Sequence, residues 1–227
     1  MYKVSLAEDN IFPEIGELKG NYNTDANCTI EKFAKKIQEL DEGDILEFGV
    51  AGALTTVAMA KENPDRKIFA FDHFKGLEKT SKPVWSGSGW IEGAFRLGDP
   101  KYPHIPNTIE EVLEFTKPYT NINIIVQDVH EMKEPSDYGI GKIAAVNIDV
   151  DIYEPAVSSL NFLDKCEWDK LYIRFDDWHG YDVGYDHHER LAARDWLFKN
   201  QYRCDIIEGG LSGGMLVWRS WKKELQS

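Results

Sequence analysis

The feature that most constrains this chain is its repeated alternation of short apolar runs with helical stretches. DILEF (44–48) precedes a helical pattern over Ala53–Glu62, which Asn63-Pro64 stops. KIFAFD (67–72) follows, then Ile109–Thr116, where Thr108 and Glu111 form a capping-box pattern. INIIV (122–126), KIAAVNID (142–149), a helix with Pro155 in its first turn running to about Asp164, KLYIRFD (170–176) and a helix over roughly His187–Asn200 continue the rhythm. Strands of this length separated by helices need crossover connections. The fold class is therefore α/β, with a mostly parallel sheet, right-handed crossovers and helices on its faces. CDIIE and MLVWR, joined by GGLSGG, close the chain as a hairpin. That makes a seven-stranded sheet with one antiparallel strand at or near an edge.

Two segments lie outside the rhythm. A helix around Asp25–Leu40 places Ile30, Phe33, Ala34 and Ile37 on one face and forms part of an N-terminal extension, residues 1–43. Residues 73–107 hold five glycines, four prolines, Trp85 and Trp90, too long a stretch for a plain connection. It reads as a lid or substrate loop within one domain spanning 1–227.

At 42% hydrophobic residues the chain can bury a core. Its net charge of −13 and the lack of a dense Lys/Arg patch argue against nucleic acid and anionic membranes as partners. Cys28, Cys166 and Cys204 are scattered and show no CxxC, which fits a reducing compartment and excludes a zinc or disulfide scaffold. No apolar leader or bilayer-length stretch is present, so the expected location is cytoplasmic. Residues 1–24 and 73–107 are candidate surfaces for a homo-oligomer.

The chemistry-bearing residues sit where the strands end. ILEFGVAGA places Glu47, Gly49 and Gly52 between a strand and a helix. Glycines there admit a close ligand, and the helix N-terminus favours an anion. The spacing is G-x-x-G, not the dinucleotide G-x-G-x-x-G; a tight strand–helix turn explains it equally well. Asp72 ends the second strand twenty residues after Gly52, a position suited to both hydroxyls of a ribose, or to capping a turn. Asp128 follows the third strand and suits an adenine amino group, or again a turn. Asp149 and Asp151 (NIDVDIY) and Asp176 and Asp177 (RFDDWHG) end two further strands. If those strands are neighbours, four carboxylates converge and repel one another. A magnesium, manganese or calcium ion would relieve that conflict, since oxygen-only ligation suits hard cations.

In this order, EFGVAGA, FAFDHFKGL, IDVDIY and FDDW resemble the macrocin-type O-methyltransferase family, over about residues 44–200. The resemblance implies a Rossmann-like methyltransferase fold, S-adenosyl-L-methionine as methyl donor and a divalent metal. It implies Glu47, Gly49 and Gly52 at the methionine end of the cofactor, Asp72 at its ribose and Asp128 near its adenine. It further implies Asp149, Asp176 and Asp177 as metal ligands and Asp151 as general base, acting on a hydroxyl of a small molecule, with a sugar or glycoside favoured. The chain departs from the family pattern at His73, Glu78, CEWDK before the fifth strand, and Trp178-His179 after the acid pair. These departures leave the cofactor and metal positions intact and bear on the substrate. His179 fits a base, a ligand, a substrate contact or simple packing beside Trp178. Trp85 and Trp90 suit stacking on a substrate or packing within the lid. His104, His187 and His188 read as surface or lid residues. Catechol-type methylation, a non-catalytic S-adenosylmethionine-binding protein and a nucleotide-binding enzyme of other chemistry are the alternatives.

Overall fold

The computed structural model describes residues 30–84, 89–177, 188–200, 202–209 and 216–221. Cys28, Trp85, Trp178, His179, His187, residues 1–24 and most of the GGLSGG turn lie outside that set, as does the Cys204 side chain.

Five strands form a parallel sheet: β1 (Asp44–Phe48), β2 (Ile68–Asp72), β3 (Ile122–Val126), β4 (Ile143–Ile148) and β5 (Lys170–Phe175). β6 (Arg203–Gly209) and β7 (Leu216–Trp221) extend it, giving the order β3-β2-β1-β4-β5-β7-β6. β7 runs antiparallel to both of its neighbours. Every residue of β4 is buried, as a central strand covered on both faces requires. β3, at the edge, has no fully buried residue: Asn123 and Val126 are exposed and the rest half-buried.

Helices cover both faces. Phe33, Ala34 and Ile37 of α1 (Ile30–Ile37) and Met59 and Ala60 of α2 (Leu54–Glu62) pack on Ile45, Ile68, Ala145 and Tyr172. On the opposite face Ala156, Leu160 and Leu163 of α4 (Tyr153–Leu163) and Ala192 and Trp196 of α5 (His188–Asn200) pack on Leu46, Phe48, Val146 and Phe175. Phe48 stacks on Phe71 with ring centroids 5.5 Å apart. Each such fully buried ring contributes roughly 1.5–3 kcal/mol. α3 (Ile109–Thr116) starts as its capping residue predicts, with Thr108 Oγ1 accepting from Glu111 N at 3.3 Å. The reciprocal bond goes one residue further back: Glu111 accepts from Asn107 N at 2.8 Å. α4 begins two residues before Pro155, which stays within the first turn where its missing N–H is harmless.

The described part of 73–107 contains no helix or strand and is nonetheless packed. Leu77 N donates to Ala94 O (2.8 Å), Gly93 N donates to Leu77 O (2.7 Å), and Trp90, Ala94 and Ile105 are buried. Glu154 on α4 holds it by accepting from Thr80 Oγ1, Ser81 N and Ser81 Oγ. Among the described residues, no helix is long and apolar enough to cross a membrane.

Connections from β1 lead outward through β2 to β3, and those from β4 lead the other way to β5. The order therefore reverses between β1 and β4, and the crevice beyond their carboxyl ends is where such sheets bind ligands.

Candidate functional site

A cavity of about 470 Å³ opens at that crevice. Its wall includes Gly49, Gly52, Asp72, Asp128, Asp149, Asp151, Asp176 and Asp177, so eight of the nine residues singled out by sequence meet in one place.

The glycine turn is shaped first by the protein itself. Gly49 has φ of 84°, and a Cβ there would overlap the carbonyl oxygen of Asp149. Its missing side chain lets the β1 turn seat against the end of β4, where Asp149 N donates to Phe48 O at 2.9 Å. A Cβ on Gly52 would lie 3.2 Å from Pro106 Cδ and 3.5 Å from the His104 carbonyl. At both positions the missing side chain also makes room for neighbouring chain, while both glycines remain on the cavity wall. The turn is strained besides, since Ala51 and Ala53 have φ of 44° and 58°. Ala53, the residue that caps α2, offers no side-chain hydrogen bond, the first turn holds no acid, and Leu54 and Thr55 line the cavity.

Asp72 clamps this turn. Its Oδ2 accepts from Val50 N (2.8 Å) and Ala51 N (2.9 Å), and its Oδ1 from Phe74 N (2.6 Å). A carboxylate has about four acceptor positions, and three are used. Asp72 thus has a structural task in the fold, and one acceptor position remains open. Asp128 caps the 3-10 turn Val129–Glu131 by accepting from His130 N at 2.9 Å, while still facing the cavity.

Glu47 is the residue that the structure places elsewhere. It is completely buried and does not line the cavity. Thr56 Oγ1 donates to its carboxyl, as does Asn147 Nδ2 at 2.9 Å. Burial pushes its pKa up, against the opposing effect of these hydrogen bonds and of Arg174. Glu47, Asn147 and Arg174 occupy register-matched positions on β1, β4 and β5. Arg174 donates through Nη1 to Asn147 Oδ1 (2.6 Å) and through Nη2 to Asp176. A buried polar row thus crosses beneath the cavity from the glycine-turn strand to the acid pair. Being polar, these residues carry no hydrophobic period, and sequence reasoning passed over Asn147 and Arg174.

β4 and β5 are neighbours, so the acids converge. One carboxylate oxygen each from Asp149, Asp176 and Asp177 lies within 4.8 Å of the others. Burial and the charge of Asp176 raise the Asp149 pKa well above its ordinary value; burial and the charge of Asp151 do the same for Asp177. Asp151 is pushed up to about 7 by burial, despite hydrogen bonds with Asp177 and with Trp90 of the 73–107 segment. The set is oxygen-only, and its neighbouring cation, Arg174, is engaged with Asp176. Asp149, Asp176 and Asp177 are the residues that could hold a hard divalent cation.

A fifth acid, Glu189, was not visible as part of the site. It is fully buried at the start of α5 and accepts from Val150 N, Asp151 N and Asp177 N. Burial pushes its pKa up to about 8. In sequence it is an acid in a first helical turn, indistinguishable from a solvated one. Of the surface or lid positions expected for His188, the structure gives contact with the 73–107 segment: it is 1% exposed, its Nε2 is 3.1 Å from Pro83 O, and its ring meets Trp90 edge-on.

Similar solved structures include the calicheamicin methyltransferase CalS11, at 20% identity over 86% of this chain and 77% of that one, with a TM-score of 0.59. The O-methyltransferase NovP shares 16% identity over the same coverages, again with a TM-score of 0.59. The N-terminal domain of EvdMO1 with SAH bound shares 13% identity over 86% and 82%, with a TM-score of 0.51. At these identities the likeness establishes the fold. No protein-family model and no curated protein matches the sequence, so the macrocin-type resemblance rests on its motifs.

Proposed function

We propose that the chain is an S-adenosylmethionine-dependent, divalent-metal-dependent O-methyltransferase that acts on a hydroxyl of a small molecule, with a sugar or glycoside favoured. The observation that carries the reading is the convergence of Asp149, Asp176 and Asp177, with Asp151 beside them, on the same cavity as the glycine turn. The fold shared with CalS11, NovP and SAH-bound EvdMO1 supports it, as do the methyltransferase activities of the first two.

The residues fit both groups. The uncapped N-terminus of α2 offers backbone N–H donors to the carboxylate of a bound methionine moiety. Asp72 has one acceptor position left for a ribose hydroxyl, and Asp128 lies on the wall near it. Asp149, Asp176 and Asp177 would hold magnesium, manganese or calcium. When bound, such an ion supplies positive charge that lowers the pKa of the acceptor hydroxyl, and S-adenosylmethionine supplies an electrophilic methyl group.

The protein's own part is positioning and proton transfer. Asp151 accepts the hydroxyl proton as the new O–C bond forms and the S–C bond breaks, its electrons remaining on sulfur. Asp72 and Gly49 fix the turn relative to the acids, and in-line alignment of this kind supplies on the order of several kcal/mol. The 73–107 segment acts as the substrate loop: it brings Trp90 to Asp151 and places His104 and Ile105 on the cavity wall.

Calorimetry with S-adenosylmethionine, NAD and ATP tests the cofactor; heat with either of the latter and none with the first overturns the reading. Transfer of a labelled methyl group to a panel of sugars and glycosides, with and without chelator, tests the rest. Full transfer in chelator removes the metal.

A further inference from the structure

The two loops that carry the acids follow neighbouring parallel strands. β4 ends at Ile148 and β5 at Phe175, so the N–H groups of Val150, Asp151 and Asp177 lie beyond the parallel ladder. Asp151 also has φ of 60°, a left-handed conformation that a non-glycine residue keeps only when its surroundings enforce it. A single side chain satisfies all three groups. Glu189 Oε1 accepts from Val150 N at 3.0 Å and Asp151 N at 3.2 Å, and its Oε2 accepts from Asp177 N at 3.2 Å. One oxygen serves each loop.

We propose that Glu189 is a positioning residue that ties the Asp149–Asp151 loop to the Asp176–Asp177 loop and so sets the spacing of the carboxylates around a divalent cation. The proposal rests on the metal-dependent reading above. It requires two acceptor oxygens on one rigid planar group, at the reach of a glutamate from the first turn of α5. A glutamine has one acceptor and one NH₂, so one loop would face a donor with a donor. An aspartate keeps the charge and is one methylene too short to span both loops. Groups that orient metal ligands from behind typically change metal affinity 10–100-fold when lost.

The test compares wild type, Glu189→Gln and Glu189→Asp by Mn²⁺ binding, followed by electron paramagnetic resonance, and by S-adenosylhomocysteine binding, followed by calorimetry. Both variants should bind Mn²⁺ at least about tenfold more weakly and S-adenosylhomocysteine within about twofold of wild type. Hydrogen exchange should quicken at the amides of 150–151 or 177. Wild-type Mn²⁺ affinity in Glu189→Gln overturns the proposal, as does wild-type affinity in Glu189→Asp, which would assign the effect to charge and not to span. Parallel losses of both ligands, or failure of both variants to fold, assign Glu189 to general stability and also overturn it. A wild type that binds no Mn²⁺ overturns the metal-dependent reading itself, a result separate from a wild type that binds and variants that bind equally.

Discussion

Replacing Asp72 with asparagine separates two roles that one carboxylate could perform. The carboxylate accepts three backbone N–H groups, from Val50, Ala51 and Phe74, with its side chain only 17% exposed. The amide of Asp72→Asn has one acceptor. Its better orientation keeps the oxygen on Val50 and Ala51 and turns the NH₂ toward Phe74 N, so that one donor loses its partner. Hydrogen bonds to a charged acceptor contribute about 1.5–3 kcal/mol and neutral ones about 0.5–1.5. Losing the first outright and weakening the other two totals about 3 kcal/mol after allowing for partial exposure. For a chain of this size each kcal/mol moves the midpoint by about 2–4 °C, so Tm should fall by about 6–12 °C. The measurement is a circular-dichroism melt with no ligand present. If Asp72 served only a ribose, the ligand-free melt would be unchanged and only cofactor affinity would drop. A shift under about 2 °C would refute the clamp.

Three further outcomes follow from the acid cluster. Asp151→Asn should leave cofactor affinity intact and remove most methyl transfer; unchanged turnover measured with a labelled methyl donor would place the base elsewhere. Asp176→Ala combined with Asp177→Ala should abolish the response of turnover to added magnesium, and a retained response would remove these two residues from the ligand set. Burial holds Asp151 at about 7 and Glu189 at about 8, against ordinary values of 3.8 and 4.5. Above the ordinary values the unfolded chain has lost protons that the folded one keeps, so folding stability falls as pH rises. Melts of chelator-treated protein should therefore shift downward from about pH 5 to about pH 8, with magnesium flattening the slope; a Tm independent of pH would count against the burial of these acids.

The architecture was legible because it is written in apolar runs. DILEF and INIIV coincide with β1 and β3, and Ile109–Thr116 with α3. Pro155 marked α4 without fixing its first residue, because proline is tolerated throughout the first helical turn. The acids at the strand ends were legible for a similar reason: a parallel sheet brings its carboxyl ends together, so position along the strand predicts position in space. What lies beneath them was not. The family resemblance implies Glu47 at the cofactor, yet its side chain is fully buried in the row with Asn147 and Arg174 and does not itself line the cavity. Glu189 and His188 follow a segment with no apolar period, and only the folded chain shows which face of α5 they enter.

The contact between Gly49 and the Asp149 carbonyl limits how this protein can be altered. The glycine turn and the acid loop meet at Gly49, with no space for a methyl group between them. Replacing the EFGVAGA turn would shift the backbone that carries Asp149, and lengthening the acid loop would displace the turn. A library that randomises either segment alone should consist mostly of inactive clones, whereas exchanging both together from one donor sequence preserves the seam.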